Sequence, residues 1–241
     1  MDFIAPLIHS FMLPPVGSSA YCSRSAIEHS TATGDILLFA GRGALSIAIG
    51  AATRSPWSHV GMAIWGRDFP ELSLDPETLY LLESTGYNFG RNRKPDALTG
   101  AMREDVRLTP LWDRFVGYSA RVMHVMHLDL ERVPVEWRRE RLLPFMRYVA
   151  GADYERGRLQ LAEAAFKWLG PTRRDVSSLF CSELVAEAYM FMLLLEFTRT
   201  RPSNRYAPDD FAHPETLPWA RMSVRGGAVP PLSHGEYYDN E

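Results

Sequence analysis

A series of short apolar runs, each closed off by turn-forming residues, constrains this chain more than any other feature. The first is ILLF (36–39), opened by Gly34-Asp35 and closed by AGRG (40–43). A run of that length between turn signals reads as a buried strand. The second, SHVGMAIW (58–65), alternates, with His59, Gly61 and Ala63 on one face and Val60, Met62 and Ile64 on the other. The third, TLYLLES (78–84), carries a single carboxylate, Glu83, inside an apolar body. Residues 120–130 read as a further strand, with His124 and His127 on opposite faces.

Helical patterns fall between and after these runs. Residues 44–54 place Leu45, Ala48, Ile49 and Ala52 on one face before Ser55-Pro56 ends the segment. Residues 135–149 read as a helix that Pro144 bends or splits. Residues 151–154 read as a turn, 159–169 as a short helix closed by Gly170-Pro171, and about 182–197 as the last helix. Residues 66–77 form a polar loop and 89–100 a long basic one. The chain shows no internal repeat. The expectation is α+β: a mostly antiparallel sheet, with helices before and after its strands. An arm over 1–33 precedes the domain at 34–225, and a flexible tail follows at 226–241.

The length of 241 residues, with 46% apolar and 23% charged residues, allows a substantial core. A formal charge of −3 argues against nucleic acid as a partner. Of the 26 basic residues only Lys94 and Lys167 are lysines. Arginine suits carboxylates and phosphates, but a coding bias explains the excess more simply. Two cysteines, Cys22 and Cys181, form no disulfide framework and fit a reducing compartment such as the cytoplasm. No run nears the ~18 apolar residues of a membrane span. The apolar N-terminal stretch lacks a positive start and is broken by Pro6, Pro14 and Pro15. It reads as an arm packed on the domain or on a partner rather than as a secretion signal.

One cysteine stands where a polar loop gives way to a helix, in SLFCSELVAEAY (178–189). Apolar residues at 184, 185, 188, 192 and 195 put Cys181 on the core-facing stripe, while Glu183 and Glu187 read as solvated. At a helix N-terminus, unpaired N–H groups and the positive dipole end favour a thiolate and can receive an oxyanion. A thiolate also needs a proton carrier, and the carrier needs orienting. His59 and Glu83 are the two residues that look out of place in a core. If their strands are neighbours, the carboxylate holds one ring nitrogen and leaves the other for the thiol. Each has a plainer account. Free cysteines usually just pack, a histidine opening a strand is often idle, and a strand glutamate can face solvent. Zinc held by His59, Glu83 and Cys181 is a further alternative, disfavoured because no ligand pair has short helical or knuckle spacing. No metal or cofactor is expected, and His9, His29, His213 and His234 have no nameable partner.

The ordered set GDILLF (34–39), SHVGMAI (58–64), LLEST (81–85), GADY (151–154), FCSELVAEAY (180–189) and YAPDDFA (206–212) resembles the circularly permuted papain-like hydrolases of the NlpC/P60 superfamily. The similarity is to the branch of the bacterial YiiX-like proteins and a related poxvirus protein, and spans roughly residues 34–212. It implies a permuted papain-like fold with the sheet packed against the cysteine helix. It implies Cys181 as nucleophile, His59 as base and Glu83 as orienting group, with Tyr154 packing against or lining the site. Ser58 and Ser182, next to the histidine and the cysteine, are expected to line the substrate site. The implied reaction is attack on an amide, ester or thioester, by a hydrolase or acyltransferase, through an acyl-enzyme with N–H groups at 181–182 binding the oxyanion. Peptide, amide and acyl-lipid substrates stay open, as do a peripheral lipid contact, the oligomeric state, and an idle binding or structural protein that keeps the fold. The long loops at 66–77 and 89–100 and the N-terminal arm depart from the family pattern and leave substrate preference unassigned.

Overall fold

A computed structural model describes residues 24–41, 44–84, 95–101, 106–117, 120–128, 133–150, 177–195 and 202–213. The turn at 151–154 with Tyr154, the helix at 159–169, the tail at 226–241, Cys22, most of the arm and the first half of the basic loop lie outside them.

Five strands form one sheet: β1 (Ile36–Gly41), β2 (His59–Trp65), β3 (Leu79–Ser84), β4 (Val106–Pro110) and β5 (Ala120–Met126). The order is β4-β3-β2-β1-β5, and every neighbouring pair is antiparallel. The helices are α1 (Arg24–Ser30), α2 (Ala44–Thr53), α3 (Leu111–Gly117), α4 (Val135–Ala150) and α5 (Ser177–Phe191). The architecture is α+β, with a five-stranded antiparallel sheet.

Both faces of the sheet are covered. On one, Val60, Met62, Ile64 and Leu82 meet Leu142 and Phe145 of α4 and Leu184 and Val185 of α5. On the other, Leu37, Phe39, Ala63 and Leu81 meet Ile27 of α1 and Leu111, Trp112 and Phe115 of α3. Coverage on both sides is why the central strands read as continuous apolar runs despite antiparallel pairing. The Gly34-Asp35 pair has its own reason. Gly34 takes a φ of +95°, which glycine tolerates best. The Asp35 carboxylate accepts from the N–H of Ala32 (2.9 Å), the N–H of Leu128 (2.8 Å) and His127 Nδ1 (2.8 Å), pinning the start of β1 to the end of β5.

Several expectations need correction. The helix of Cys181, for which the sequence named no sheet face, packs on the side of Val60, Met62 and Ile64, while α1 and α3 cover the side of Ala63. Gly61 instead makes room for the neighbouring strand: a Cβ there would lie 2.6 Å from Leu81 Cδ1. α4 runs unbroken through Pro144. β5 ends at Met126, so His127 lies beyond the strand and turns into the Asp35 cluster. Within the arm, residues 24–30 are helical, anchored by buried Ile27 and by Trp112 Nε1 donating to Glu28 Oε1 at 2.5 Å. β4 and α3 have no counterpart in the sequence reading.

Candidate active site

His59 is the first residue of β2, where a ring on one face of the sheet can meet a group from the other. Its Nε2 donates to Glu83 Oε2 at 2.6 Å. The two side chains belong to neighbouring antiparallel strands and the same sheet face, which is the diagonal placement that lets such groups touch. Glu83 is fully buried, and its second oxygen is also engaged. Oε1 accepts from Arg114 Nε of α3, and Arg107 Nε lies 3.8 Å away on β4, directly across the ladder from Glu83.

The electrostatics follow. Burial by itself raises Glu83, but the Arg114 charge and the His59 bond outweigh it and hold the carboxyl at about 2. Burial by itself lowers His59. The charge and hydrogen bond of Cys181, then those of Glu83, outweigh it and push the imidazole up to about 10. The Cys181 thiol therefore lies within hydrogen-bonding reach of the His59 ring. With Nε2 taken by Glu83, Nδ1 is the nitrogen left for sulfur. The three residues singled out from the sequence are thus gathered into one buried chain, sulfur to imidazole to carboxylate. Arg107 and Arg114, which the sequence reading missed, extend it. The available signal for Arg114 was its place in LWDRFVG, on the flank of the apolar face made by Leu111 and Phe115.

Cys181 itself sits differently from expectation. α5 begins at Ser177, so Cys181 is the fifth residue of the helix rather than its cap. In an α-helix the N–H groups of residues 181 and 182 bond to carbonyls one turn back, and the unpaired N–H groups belong to the first four residues. The oxyanion role expected of the 181–182 N–H groups does not fit this geometry. The partner of the sulfur is the His59 ring. Cys181 is also fully buried.

Glu183 is buried and Glu187 only partly exposed, where both were expected to be solvated. Glu183 is 2% exposed, and burial together with the neighbouring Glu187 pushes its carboxyl up to about 7. Glu187 is raised by burial too, and Ser203 Oγ reaches Glu187 Oε1 at 3.3 Å. The cause is the segment 202–213, which lies across the side of α5 that periodicity assigned to water. Ser182 Oγ donates to the Tyr206 carbonyl at 2.5 Å, and Ser55 Oγ donates to Asp209 Oδ1 at 2.5 Å. The Ser182 hydroxyl is thus committed to the main chain. Ser58 Oγ likewise accepts from the Gly41 N–H at 3.1 Å and donates to the Phe39 carbonyl at 3.4 Å. Both serines are buried and brace the site's framework.

Among the described residues, no group of three or more His, Cys, Asp or Glu side chains is arranged to hold a metal ion. No helix among them is long and apolar enough to cross a membrane.

No protein-family model matches the chain, and no curated protein does. Among solved structures it aligns with one described as the metalloprotein yiiX from Escherichia coli O157:H7. The alignment has a TM-score of 0.37 and 20% identity, and covers 80% of this chain and 87% of that one.

Proposed function

We propose that the chain is a cysteine-dependent hydrolase or acyltransferase of the permuted papain-like kind, acting on an amide, ester or thioester. The observation that carries the reading is the buried chain from Cys181 through His59 to Glu83, with the 2.6 Å bond fixing one ring nitrogen. Its order along the sequence, histidine then glutamate then cysteine, is the permuted order. A thiolate beside an imidazolium is the resting state such chemistry uses. The sulfur attacks a carbonyl carbon, forming the C–S bond and moving the carbonyl electron pair to oxygen. As the tetrahedral species collapses, the imidazolium gives its proton to the departing amine, alcohol or thiol. Water, or an acceptor alcohol or amine, then attacks the thioester while His59 takes its proton. Collapse releases the product and restores thiolate and imidazolium. Glu83 keeps the ring oriented throughout and stays ionised. Peptide, amide and acyl-lipid substrates all fit this chemistry, and the negative net charge speaks against nucleic acid.

A second reading, a binding or structural protein that keeps the fold without turnover, is favoured by one observation: the thiol is fully buried. Small thiol reagents separate the two in a Cys22→Ala background. The enzyme reading expects rapid modification of Cys181 near neutral pH that is lost in His59→Ala. Modification no faster than in the His59→Ala protein overturns it. Metal analysis of the purified chain is the companion measurement, because the solved neighbour is described as a metalloprotein.

A further inference from the structure

The carboxylate that holds His59 is itself held, by a residue of α3 on its other oxygen. Glu83 has no exposure to water, so nothing but protein can balance its charge. Its two oxygens are divided between partners. Oε2 takes His59 Nε2, and Oε1 takes Arg114 Nε with Arg107 Nε at 3.8 Å. Fixing Oε1 stops the carboxylate from turning about its Cγ–Cδ bond, and that fixes where Oε2 meets the ring. The supply of Arg114 is rigid. α3 follows β4 directly at Leu111, and Leu111, Trp112 and Phe115 are all buried under the sheet. Arg114 is 4% exposed, so its Nε meets the carboxylate at low dielectric.

We propose that Arg114 is a positioning residue that acts through Glu83: it keeps the carboxylate charged and oriented so that His59 can stay paired with the Cys181 sulfur, with Arg107 as a second, weaker cation. This rests on the cysteine reading above. Arg114 is not expected to touch substrate. Its removal frees Glu83 to take up a proton in its buried setting, and the thiolate–imidazolium pair then loses its anchor at the acid end of its range.

The test uses the full chain carrying Cys22→Ala. The pair is followed by thiolate ultraviolet absorbance and by nuclear magnetic resonance of the His59 ring across pH, with Cys181→Ser as the blank. In Arg114→Met the acid limb of pair formation is expected to move up by about 1 to 3 on the pH scale, the span that a close opposite charge sets for a carboxylate. Arg114→Lys, a point charge without the fork, is expected to fall between wild type and Arg114→Met. Adding Arg114→Met to Glu83→Gln is expected to move the limb no further, because the path through Glu83 is already cut. A folded Arg114→Met with lowered melting temperature and an unmoved limb overturns the inference and leaves the cysteine reading standing. If Arg114→Met does not fold, an unmoved limb in Arg114→Lys overturns it equally. Absence of any thiolate–imidazolium signal in the parent protein sinks the cysteine reading itself.

Discussion

Glu83→Gln keeps the shape of the side chain and removes its charge. The native carboxylate is fully buried, with His59 at 2.6 Å, Arg114 bonded to it and Arg107 at 3.8 Å. Removing one partner of a buried ion pair costs about 3–5 kcal/mol, because the other charge stays behind without compensation. Here the stranded charge is Arg114, which the fold holds at 4% exposure. In a chain of this size each kcal/mol moves the melting temperature by about 2–4 °C, so a drop of roughly 6–20 °C is expected. The pH dependence is more telling. Glu83, held at about 2 against an ordinary 4.5, contributes stability that is present above 4.5 and lost as pH falls through 2. His59, held at about 10 against 6.5, contributes stability that is complete below 6.5 and lost as pH rises through 10. The gap between wild type and Glu83→Gln is therefore full above about pH 4.5, until His59 begins to lose its proton on the way to about 10. It closes towards pH 2 and narrows without closing towards pH 10, because Arg114 still holds Glu83 there. Urea unfolding over a pH series measures it. A gap below about 0.5 kcal/mol, the scale of an ordinary surface change, or one flat with pH, would refute the electrostatic account.

Other outcomes follow from single contacts. Gly61→Ala places a Cβ 2.6 Å from Leu81 Cδ1 and is expected to cost about 1–3 kcal/mol of overpacking. Combined with Leu81→Ala, it should cost less than the sum of the two, read by a denaturation cycle. Tyr189→Phe leaves the Gly34 carbonyl without the 2.6 Å bond from the tyrosine hydroxyl, at about 1–3 kcal/mol in the same assay. Glu183, raised to about 7 by burial and by Glu187, makes the fold less stable as pH rises from 4.5 through 7. Glu183→Gln should match wild type at low pH and exceed it above neutrality, and equal stabilities at pH 8 would count against the buried-pair account.

The strands were legible because period and burial agree along them. Val60, Met62 and Ile64 meet one core while Ala63 and Trp65 meet the other. His59 and Glu83 were legible for the opposite reason: each is a polar group where the pattern demands an apolar one, and such a group needs a partner. β4 and α3 were missed because VRLTP and LWDRFVG are each too short for either period to declare itself. The start of α5 was missed because two serines at 177 and 178 precede the apolar stripe, so the helical period declares itself only after the helix has begun. Glu183 and Glu187 were misread because periodicity reports on one packing partner. The 202–213 segment that covers them comes from farther along the chain and leaves no mark on the helix's own pattern.

α5 is fastened to the start of the sheet through Tyr189 and Gly34, which are 155 positions apart in sequence, and its Cys181 end meets His59 across a similar stretch of chain. Closing loops of that size comes late in folding, after the local strand pairs have formed. On the ribosome, β1, β2 and β3 emerge and can pair long before α5 has been made. The histidine and its carboxylate are thus in place first, and the sulfur arrives last. The growing chain carries the His59–Glu83 pair while the stretch between β3 and α5 is made, and the sulfur joins that pair as the core is completed.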